Sequence, residues 1–207
     1  MGDRARSRGS ITWGVAAAPH PGQQASGDSH LVLMHPGGAL VVAVDALGHG
    51  PEAERAALRA VALFAETPTA PIAELLRRCH QALLGDRGVV VSLASFDVAT
   101  GTMTWAGVGN VEAVLVRPND GRPASRSGLV VIGGVVGGDL PEVRPQQLPV
   151  APGDVVVFAT DGVRRDFVDA VDPLAPPESL AADLLARFAK GTDDALVLAI
   201  RYEGPVP

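Results

Sequence analysis

The stretch that decides the fold is Leu40-Val41-Val42-Ala43-Val44-Asp45-Ala46-Leu47-Gly48-His49-Gly50. Its first five residues are apolar and mostly β-branched, which predicts a strand buried on both faces. The carboxylate of Asp45 ends this strand, and a glycine loop leads to Pro51, where the sequence predicts the start of a helix. An unpaired charge at the end of a core strand is costly, so Asp45 needs a partner. That partner is either a metal ion or the amides of the helix that Asp45 would cap.

Composition limits the classes of protein that this sequence can encode. The 207 residues suit one domain, and 47% hydrophobic residues suffice for a sizeable core. A net charge of −6 argues against nucleic acid or an anionic membrane as a partner. Cys79 is the single cysteine, which excludes an intrachain disulfide and favours a reducing, cytoplasmic location. No apolar run is long enough to span a bilayer. We expect one domain over residues 11–201, between tails at residues 1–10 and 202–207.

A β-hairpin is predicted to contain the quoted strand. Leu31–Met34 and residues 39–44 favour strands, and Pro36-Gly37-Gly38 between them is a turn signal. The two arms of a hairpin run antiparallel. We therefore expect Asp28, which precedes the first arm, and Asp45, which ends the second, to lie at the same end of a sheet.

The rest of the chain alternates between buried strands and amphipathic helices. Residues 118–128 are predicted to form a polar loop, and residues 129–138 a glycine-rich strand or lid whose path the pattern does not define. Periodicity predicts helices over residues 52–66, 72–84 and 177–189, and further strands over residues 11–18, 89–96, 102–108, 111–116, 143–150, 155–160 and 195–200.

Acidic residues stand at four strand ends, namely Asp28, Asp45, Asp161 and the pair Asp193-Asp194. Ligands that are all oxygens suit hard cations such as Mg²⁺ or Mn²⁺ and disfavour zinc. Two such ions sharing an aspartate can activate a water molecule and hold a phosphate. The alternative is that these acids only form Asp-Gly turns or cap helices.

Five motifs in order give the sequence a family resemblance. The sequence resembles the metal-dependent PPM (protein phosphatase 2C-like) superfamily and, within it, the SpoIIE-like bacterial serine phosphatases. Three features resemble the short, stand-alone RsbX-like members: the small size, the motif Gly107–Asn110, and the run Leu148-Pro149-Val150 before Pro152-Gly153-Asp154. The resemblance covers about residues 11–201 and rests on Ser26-Gly27-Asp28, Val44–Gly50, Gly107-Val108-Gly109-Asn110, Ala159–Val163 and Asp193-Asp194.

The resemblance implies an α/β (α+β) sandwich of two mainly antiparallel sheets flanked by helices, with two Mn²⁺ or Mg²⁺ ions at one end of the sheets. Asp45 resembles the acid that bridges both ions, and the carbonyl of Ala46 resembles a further ligand. Asp161 and Asp193 resemble the remaining ligands of one ion. Asp28 matches the acid near the second ion, which acts mostly through bound water. The expected catalytic residues are Asp45, Asp161 and Asp193.

Asp194 stands where many family members have asparagine, so it either supports the ligands or contributes to a third, weaker metal site. Two departures from the family pattern affect the phosphate contacts. Many members carry an arginine a few residues before the first acid, but here Gln23 and Gln24 occupy that region. Many also have a histidine at the position of Leu47. His49, two residues further on, is interpreted as a structural residue of the glycine loop rather than a catalytic one.

Five further positions receive structural interpretations. Gly162 and Asn110 resemble backbone-shaping positions of the family. Arg164 and Arg165 could meet an anionic partner, but a solvated pair of charges is the simpler interpretation. His80, next to an apolar helix face, is predicted to be solvated.

The resemblance implies hydrolysis of phosphoserine or phosphothreonine on a protein by in-line attack of a metal-bridging hydroxide, with no covalent phosphoenzyme. By likeness to the RsbX-like group, the substrate is expected to be a phosphorylated STAS-domain regulator of a stress-signalling complex. Two alternatives come from other classes of function. One is a catalytically inactive domain of the same fold that acts as a partner-binding switch, and the other is a metal-dependent hydrolase of small phosphate esters.

Overall fold

Two five-stranded sheets form the body of the protein in the computed structural model, which describes residues 10–119 and 124–205. The first sheet contains, in spatial order, β1 (Ile11–Ala18), β10 (Ala195–Tyr202), β9 (Val155–Ala159), β6 (Glu112–Arg117) and β7 (Ser125–Gly128). The second contains β2 (Asp28–His35), β3 (Gly38–Ala46), β4 (Val89–Asp97), β5 (Thr102–Val108) and β8 (Gln146–Pro149). All neighbouring strands are antiparallel, which confirms the predicted sheets.

Helices cover the outer faces of both sheets, so the molecule has four layers. Helices α1 (Pro51–Glu66) and α2 (Ile72–Leu83) pack on the second sheet, where Cys79 belongs to the apolar core as predicted. Helix α3 (Pro177–Phe188) packs on the first sheet, and a 3₁₀ helix, Arg165–Ala170, precedes it. A separate apolar cluster fills the space between the two sheets. The sandwich flanked by helices is thereby confirmed.

Strand β3 is buried on both faces, as its composition predicts. Leu40, Val42 and Val44 point to the helices α1 and α2. The alternate residues Val41 and Ala43 point to the first sheet. Because side chains alternate across a strand, an uninterrupted apolar run is what a strand between two apolar layers requires.

Gly14 in β1 allows α3 to approach the first sheet closely. A Cβ atom at this position would lie 2.2 Å from the Cα atom of Glu178 in α3, which is closer than any real contact. Glycine is therefore required where the helix backbone rests on the strand. The sequence alone gives no sign of this approach, since a single glycine in a strand has several explanations.

The predicted polar loop at residues 118–128 is wrong in part, because Ser125–Gly128 form the edge strand β7. Residues 120–123 of that loop lie outside the described residues. The guanidinium of Arg126 fastens β7 to the 3₁₀ helix by donating to the carbonyls of Val168 and Asp169, at 2.9 and 3.2 Å. Pairing with β6 and these bonds hold a polar segment that lacks apolar alternation.

Other bounds differ less. The strand predicted over residues 143–150 is reduced to β8, an edge strand of four residues. The first arm of the hairpin begins at Asp28 rather than at Leu31. The remaining predicted helices and strands match within two residues at either end.

The glycine-rich segment at residues 129–138 connects the two sheets. The amide of Leu129 donates to the carbonyl of Ala113 in β6, at 2.8 Å. The amide of Ile132 donates to the carbonyl of Gly107 in β5, at 3.0 Å. Val136 then exchanges two 2.9 Å backbone hydrogen bonds with Val89 in β4. The segment therefore crosses from one sheet to the other, held by backbone bonds to three strands.

The two ends of the sandwich domain meet beside each other. Ser10 and Tyr202 are both buried, and the amide of Glu203 donates to the carbonyl of Ser10 at 2.7 Å. Packed structure thus extends by at least one residue beyond each end of the expected domain, residues 11–201. The rest of the expected tails, residues 1–9 and 206–207, lies outside the described residues. In the described part of the chain, no helix combines the length and apolar character needed to cross a bilayer.

Candidate active site

The hairpin of β2 and β3 brings two of the predicted acids directly opposite each other. Asp28 begins β2 and pairs in register with Asp45 near the end of β3. The predicted hairpin and the shared end of the sheet are therefore confirmed. The register of β2 against β3 places the two acids opposite each other. A slip of one residue would turn every side chain of a strand to the other face of the sheet.

The first sheet brings the other acids to the same end of the sandwich. Asp161 follows β9 after one residue, Thr160, and the pair Asp193-Asp194 comes directly before β10. Since β9 and β10 are antiparallel neighbours, the end of one lies beside the start of the other. The amide of Asp194 donates to a carboxylate oxygen of Asp193 at 2.9 Å, which turns the chain into β10.

A hydroxyl group links the acids of the two sheets. Thr160 Oγ1 donates a 2.7 Å hydrogen bond to Asp28 Oδ2 and accepts a 2.9 Å bond from the amide of Leu196. Thr160 is buried, so this hydroxyl needs both partners. It holds the Asp28 carboxylate against the turn that carries Asp161. In the sequence Thr160 is only one residue of the Ala159–Val163 motif, and no local pattern indicates the role of its side chain.

Asp194 binds the connection between β1 and β2. Its Oδ1 accepts the amide of His20 at 2.6 Å, and its Oδ2 accepts the amide of Gly27 at 2.8 Å. The carboxylate is 4% exposed. Both oxygens are thus engaged by backbone donors, as expected for an acid that supports the ligands.

Asn110 contacts a predicted ligand through its side chain. Its Nδ2 donates to Asp161 Oδ2 at 2.8 Å. Its Oδ1 is buried and has no hydrogen-bond partner within the described residues. In those residues positive φ occurs only at glycines, so the left-handed backbone next to Asn110 lies at Gly109, with φ of 99°. The side chain of Asn110 thus orients the carboxylate of Asp161.

Two glycines keep the acid-bearing loops close together. A Cβ atom at Gly162 would lie 1.8 Å from the carbonyl oxygen of Asp194, so only glycine fits this backbone-shaping position. At Gly27 a Cβ atom would lie 3.1 Å from the carbonyl oxygen of Ala46 and 3.0 Å from that of Gly48. The predicted carbonyl ligand of Ala46 therefore faces a position that carries no side chain.

Burial and mutual repulsion make the carboxyl groups hard to ionise. Burial is the largest cause that raises the pKa of Asp45 to about 8, and the charges of Asp28, Asp161, Asp193 and Asp194 raise it further. Burial also raises the pKa of Asp28 to about 7, against the lowering effect of the hydrogen bond from Thr160. The groups that act on Asp45 electrostatically are all acids, so ionisation concentrates negative charge at this end of the sandwich.

The donor chemistry of these acids fits a hard divalent cation. Carboxylate and carbonyl oxygens are the ligands that Mg²⁺ and Mn²⁺ prefer, and a cation would offset the repulsion that raises the two pKa values. Within residues 10–119 and 124–205, no three acidic, histidine or cysteine side chains are close enough to hold an ion as they stand. The carboxylates would therefore have to turn towards a bound ion.

The loops around the acids contain the remaining residues singled out from the sequence. The ring of His49 stacks on that of His20, with centroids 4.4 Å apart and planes at 17°. Leu47 is exposed, and its carbonyl accepts a 2.8 Å bond from Arg87 Nη1. The amide of Gln23 donates to the carbonyl of His20 at 2.9 Å. The stack of His20 on His49 joins the loop after β3 to the connection between β1 and β2.

The side chains of Arg164 and Arg165 are solvated as predicted, with 48% and 79% of their surface exposed, whereas the prediction of a solvated His80 is wrong in part. Arg164 pairs with Asp166 at 3.2 Å and lies 5.1 Å from the ring centroid of Phe188. Arg165 pairs with Glu112 at 2.8 Å. His80 is partly buried, and its Nδ1 accepts the amide of Gly137 at 3.1 Å.

Comparisons with known proteins agree with this architecture. The chain matches the family model of Stage II sporulation protein E (SpoIIE) over residues 35–203. A chain from a structure of the bacterial stressosome is 25% identical, with a TM-score of 0.81, covering 92% of this chain and 99% of that chain. RsbX in complex with magnesium is 18% identical, with a TM-score of 0.84, covering 96% and 98%. The catalytic domain of the serine/threonine phosphatase PstP with two manganese ions is 16% identical, with a TM-score of 0.70, covering 92% and 97%. No curated protein matched the chain.

The sandwich and its structural relatives define a protein of the PPM phosphatase fold. The family match spans most of the chain, and the protein belongs to the SpoIIE family.

Proposed function

We propose that this protein is a metal-dependent phosphatase that hydrolyses phosphoserine or phosphothreonine on a bacterial signalling protein. One observation carries the proposal. Two sheets bring acids distant in sequence to one end of the sandwich, where burial and repulsion raise the pKa values of Asp28 and Asp45 to about 7 and 8. Because strongly raised pKa values are typical of functional sites, we infer that these carboxylates bind cations rather than cap helices.

In this proposal Asp45, Asp161, Asp193 and the carbonyl of Ala46 hold two Mn²⁺ or Mg²⁺ ions, and Asp28 acts near the second ion through water. When bound, the ions would activate water and neutralise the charge of the phosphate. Thr160 and Asn110 would fix the orientations of Asp28 and Asp161 through the bonds described above. Asp194 would support the ligands by holding the connection between β1 and β2 through both of its oxygens.

The substrate we propose is a phosphorylated STAS-domain regulator of a stress-signalling complex in the cytoplasm. The likeness to a stressosome chain and to RsbX supports this class of partner. The single cysteine, Cys79, is buried, which is compatible with a reducing compartment.

The test is hydrolysis of p-nitrophenyl phosphate and of a phosphoserine STAS protein, with Mn²⁺ or with EDTA. We expect Mn²⁺-dependent turnover of both substrates, and a loss of about a hundredfold or more in Asp45→Asn, since a metal ligand is removed. Asp183→Asn is the matched control, because Asp183 is an exposed acid of α3 that pairs with Arg187.

Other outcomes would overturn the proposal in defined ways. Turnover of the small ester alone would indicate a hydrolase of small phosphate esters. No turnover of either substrate by folded, metal-loaded protein would indicate an inactive domain that acts as a partner-binding switch.

A further inference from the structure

Lys190 is the single lysine of the chain, and it lies on the loop that leads to Asp193. We propose that its ammonium group binds the phosphoryl group of the substrate. This inference rests on the proposed phosphatase function and extends it to a substrate-binding residue.

The backbone fixes Lys190 against the turn that carries Asp161. The amide of Lys190 donates to the carbonyl of Gly162 at 2.8 Å, and Val163 and Ala189 form an antiparallel bridge next to it. The ammonium group donates to the backbone carbonyl of Asp161. Because Gly162 lies against Asp194 without room for a Cβ atom, this turn has little freedom to move. The lysine is therefore anchored beside the acids at both its backbone and its side chain.

The arginines that border the same loops are already engaged. Arg87 donates to the carbonyl of Leu47 and pairs with Glu52 at 2.6 Å. Arg164 pairs with Asp166, and Arg165 with Glu112. In the described part of the chain, by contrast, the ammonium group of Lys190 bonds to one carbonyl and to no carboxylate. Its positive charge is thus available to a ligand.

The chemistry of the substrate requires such a cation. A phosphorylated serine carries about −1.5 to −2 charges near neutral pH, and the acids of the site repel it. The described residues ahead of Asp28, from Ser10 to Gly27, include neither lysine nor arginine. A lysine ammonium has three donors, and the Asp161 carbonyl uses one of them, which leaves two for phosphoryl oxygens. Lys190 is exposed, so an incoming phosphate can reach it.

The kinetic test compares Lys190→Met and Lys190→Arg with wild type, using the phosphoserine STAS protein and p-nitrophenyl phosphate in Mn²⁺. We expect Lys190→Met to lose tenfold to a hundredfold in kcat/KM for both substrates, the usual range for one charged hydrogen bond. Lys190→Arg should recover most of the loss, since it restores the charge. Arg187→Met is the control, because it removes an exposed cation three residues away that pairs with Asp183.

A measurement without turnover separates binding of phosphate from support of the turn. In Mn²⁺-loaded protein, Lys190→Met should weaken the affinity for inorganic phosphate about tenfold or more and leave the affinity for Mn²⁺ and the melting temperature close to wild type. If Lys190 only supports the turn, Mn²⁺ affinity and melting temperature would fall instead, and the inference would be wrong.

The single lysine also allows a chemical test on the unmodified chain. Inorganic phosphate with Mn²⁺ should slow acetylation of Lys190 several-fold, as measured by mass spectrometry of the peptide that contains it. Equal rates with and without phosphate would contradict the inference. Failure of the proposed function is distinguishable, since wild type would then not hydrolyse the phosphoserine protein.

Discussion

The ionised carboxyl groups of Asp28 and Asp45 reduce the stability of the fold, because they are buried among other acids. Both pKa values are raised mainly by burial, and each carboxylate faces other acids. Thr160 is the one neighbour whose hydrogen bond lowers the pKa of Asp28. At the scale of single residues, the site therefore depends on a hydroxyl that stabilises the ionised form of a carboxylate.

Thr160→Val tests that dependence with little change in side-chain volume. The variant loses the donor to Asp28 and leaves the buried amide of Leu196 without an acceptor. We expect the free energy of unfolding to fall by about 1–3 kcal/mol, and the affinity for Mn²⁺ to fall about tenfold or more. Urea denaturation in EDTA and calorimetric titration with Mn²⁺ measure the two effects.

Thr160→Ser is the matched control, because it keeps the hydroxyl and removes only a methyl group. It should retain most of the Mn²⁺ affinity. Wild-type Mn²⁺ affinity in Thr160→Val would show that the bond to Asp28 has no influence on the metal site.

At the scale of elements, the position of α3 depends on the missing side chain at Gly14. Gly14→Ala should destabilise the protein by about 2 kcal/mol or more, because the methyl group would overlap the helix backbone. Gly128→Ala in β7 is the control, since a Cβ atom there meets nothing within 4 Å. Thermal unfolding of both variants measures the difference. Equal melting temperatures would mean that α3 moves away without cost.

The sequence predicts the elements that carry apolar periodicity and misses those held by polar contacts. The apolar run that ends at Val44 identifies β3, and the turn at Gly37-Gly38 identifies the hairpin that joins Asp28 to Asp45. The edge strand β7 has no apolar face, so its polar residues resemble a loop. Residues 129–138 follow a path set by backbone bonds to three strands, which no local pattern encodes.

The sequence likewise identifies some residues of the candidate site and misses the contacts between them. Residue types and strand ends are enough to find Asp45 and Asp161 as candidate ligands. The side-chain contacts of Thr160 and Asn110 join loops that are far apart in sequence, as do the bonds of Asp194 to the connection between β1 and β2. Such contacts depend on the register and packing of two sheets, which a single sequence does not display.

At the scale of the whole molecule, the raised pKa values couple stability to pH and to metal. Between about pH 4 and pH 8, the folded protein keeps protons on Asp28 and Asp45 that the unfolded chain has released. The free energy of unfolding in EDTA should therefore decrease as pH rises through this range, by about 2 kcal/mol or more.

Saturating Mn²⁺ should remove this decrease, because the ion favours the ionised carboxylates, and Mn²⁺ affinity should rise up to about pH 8. Urea titrations at pH 5, 6.5 and 8 in EDTA and in Mn²⁺ measure both trends. Stability in EDTA that increases from pH 5 to pH 8 would contradict the raised pKa values.

The pairing of β1 with β10 also governs how the molecule would respond to mechanical force. Ile11 lies opposite Tyr202 at one pole, and Ala18 lies opposite Ala195 at the other, next to Asp194. Tension applied through Ile11 and Tyr202 would break the hydrogen-bonded pairs of these antiparallel strands one after another. It would not stretch all of the pairs at the same time, as a shearing force does. The pair Ala18 and Ala195, which lies beside the acids, would separate last. Under tension β1 and β10 would thus begin to separate at low force. The end of the sandwich that carries the acids would stay intact until the two strands had separated along their whole length.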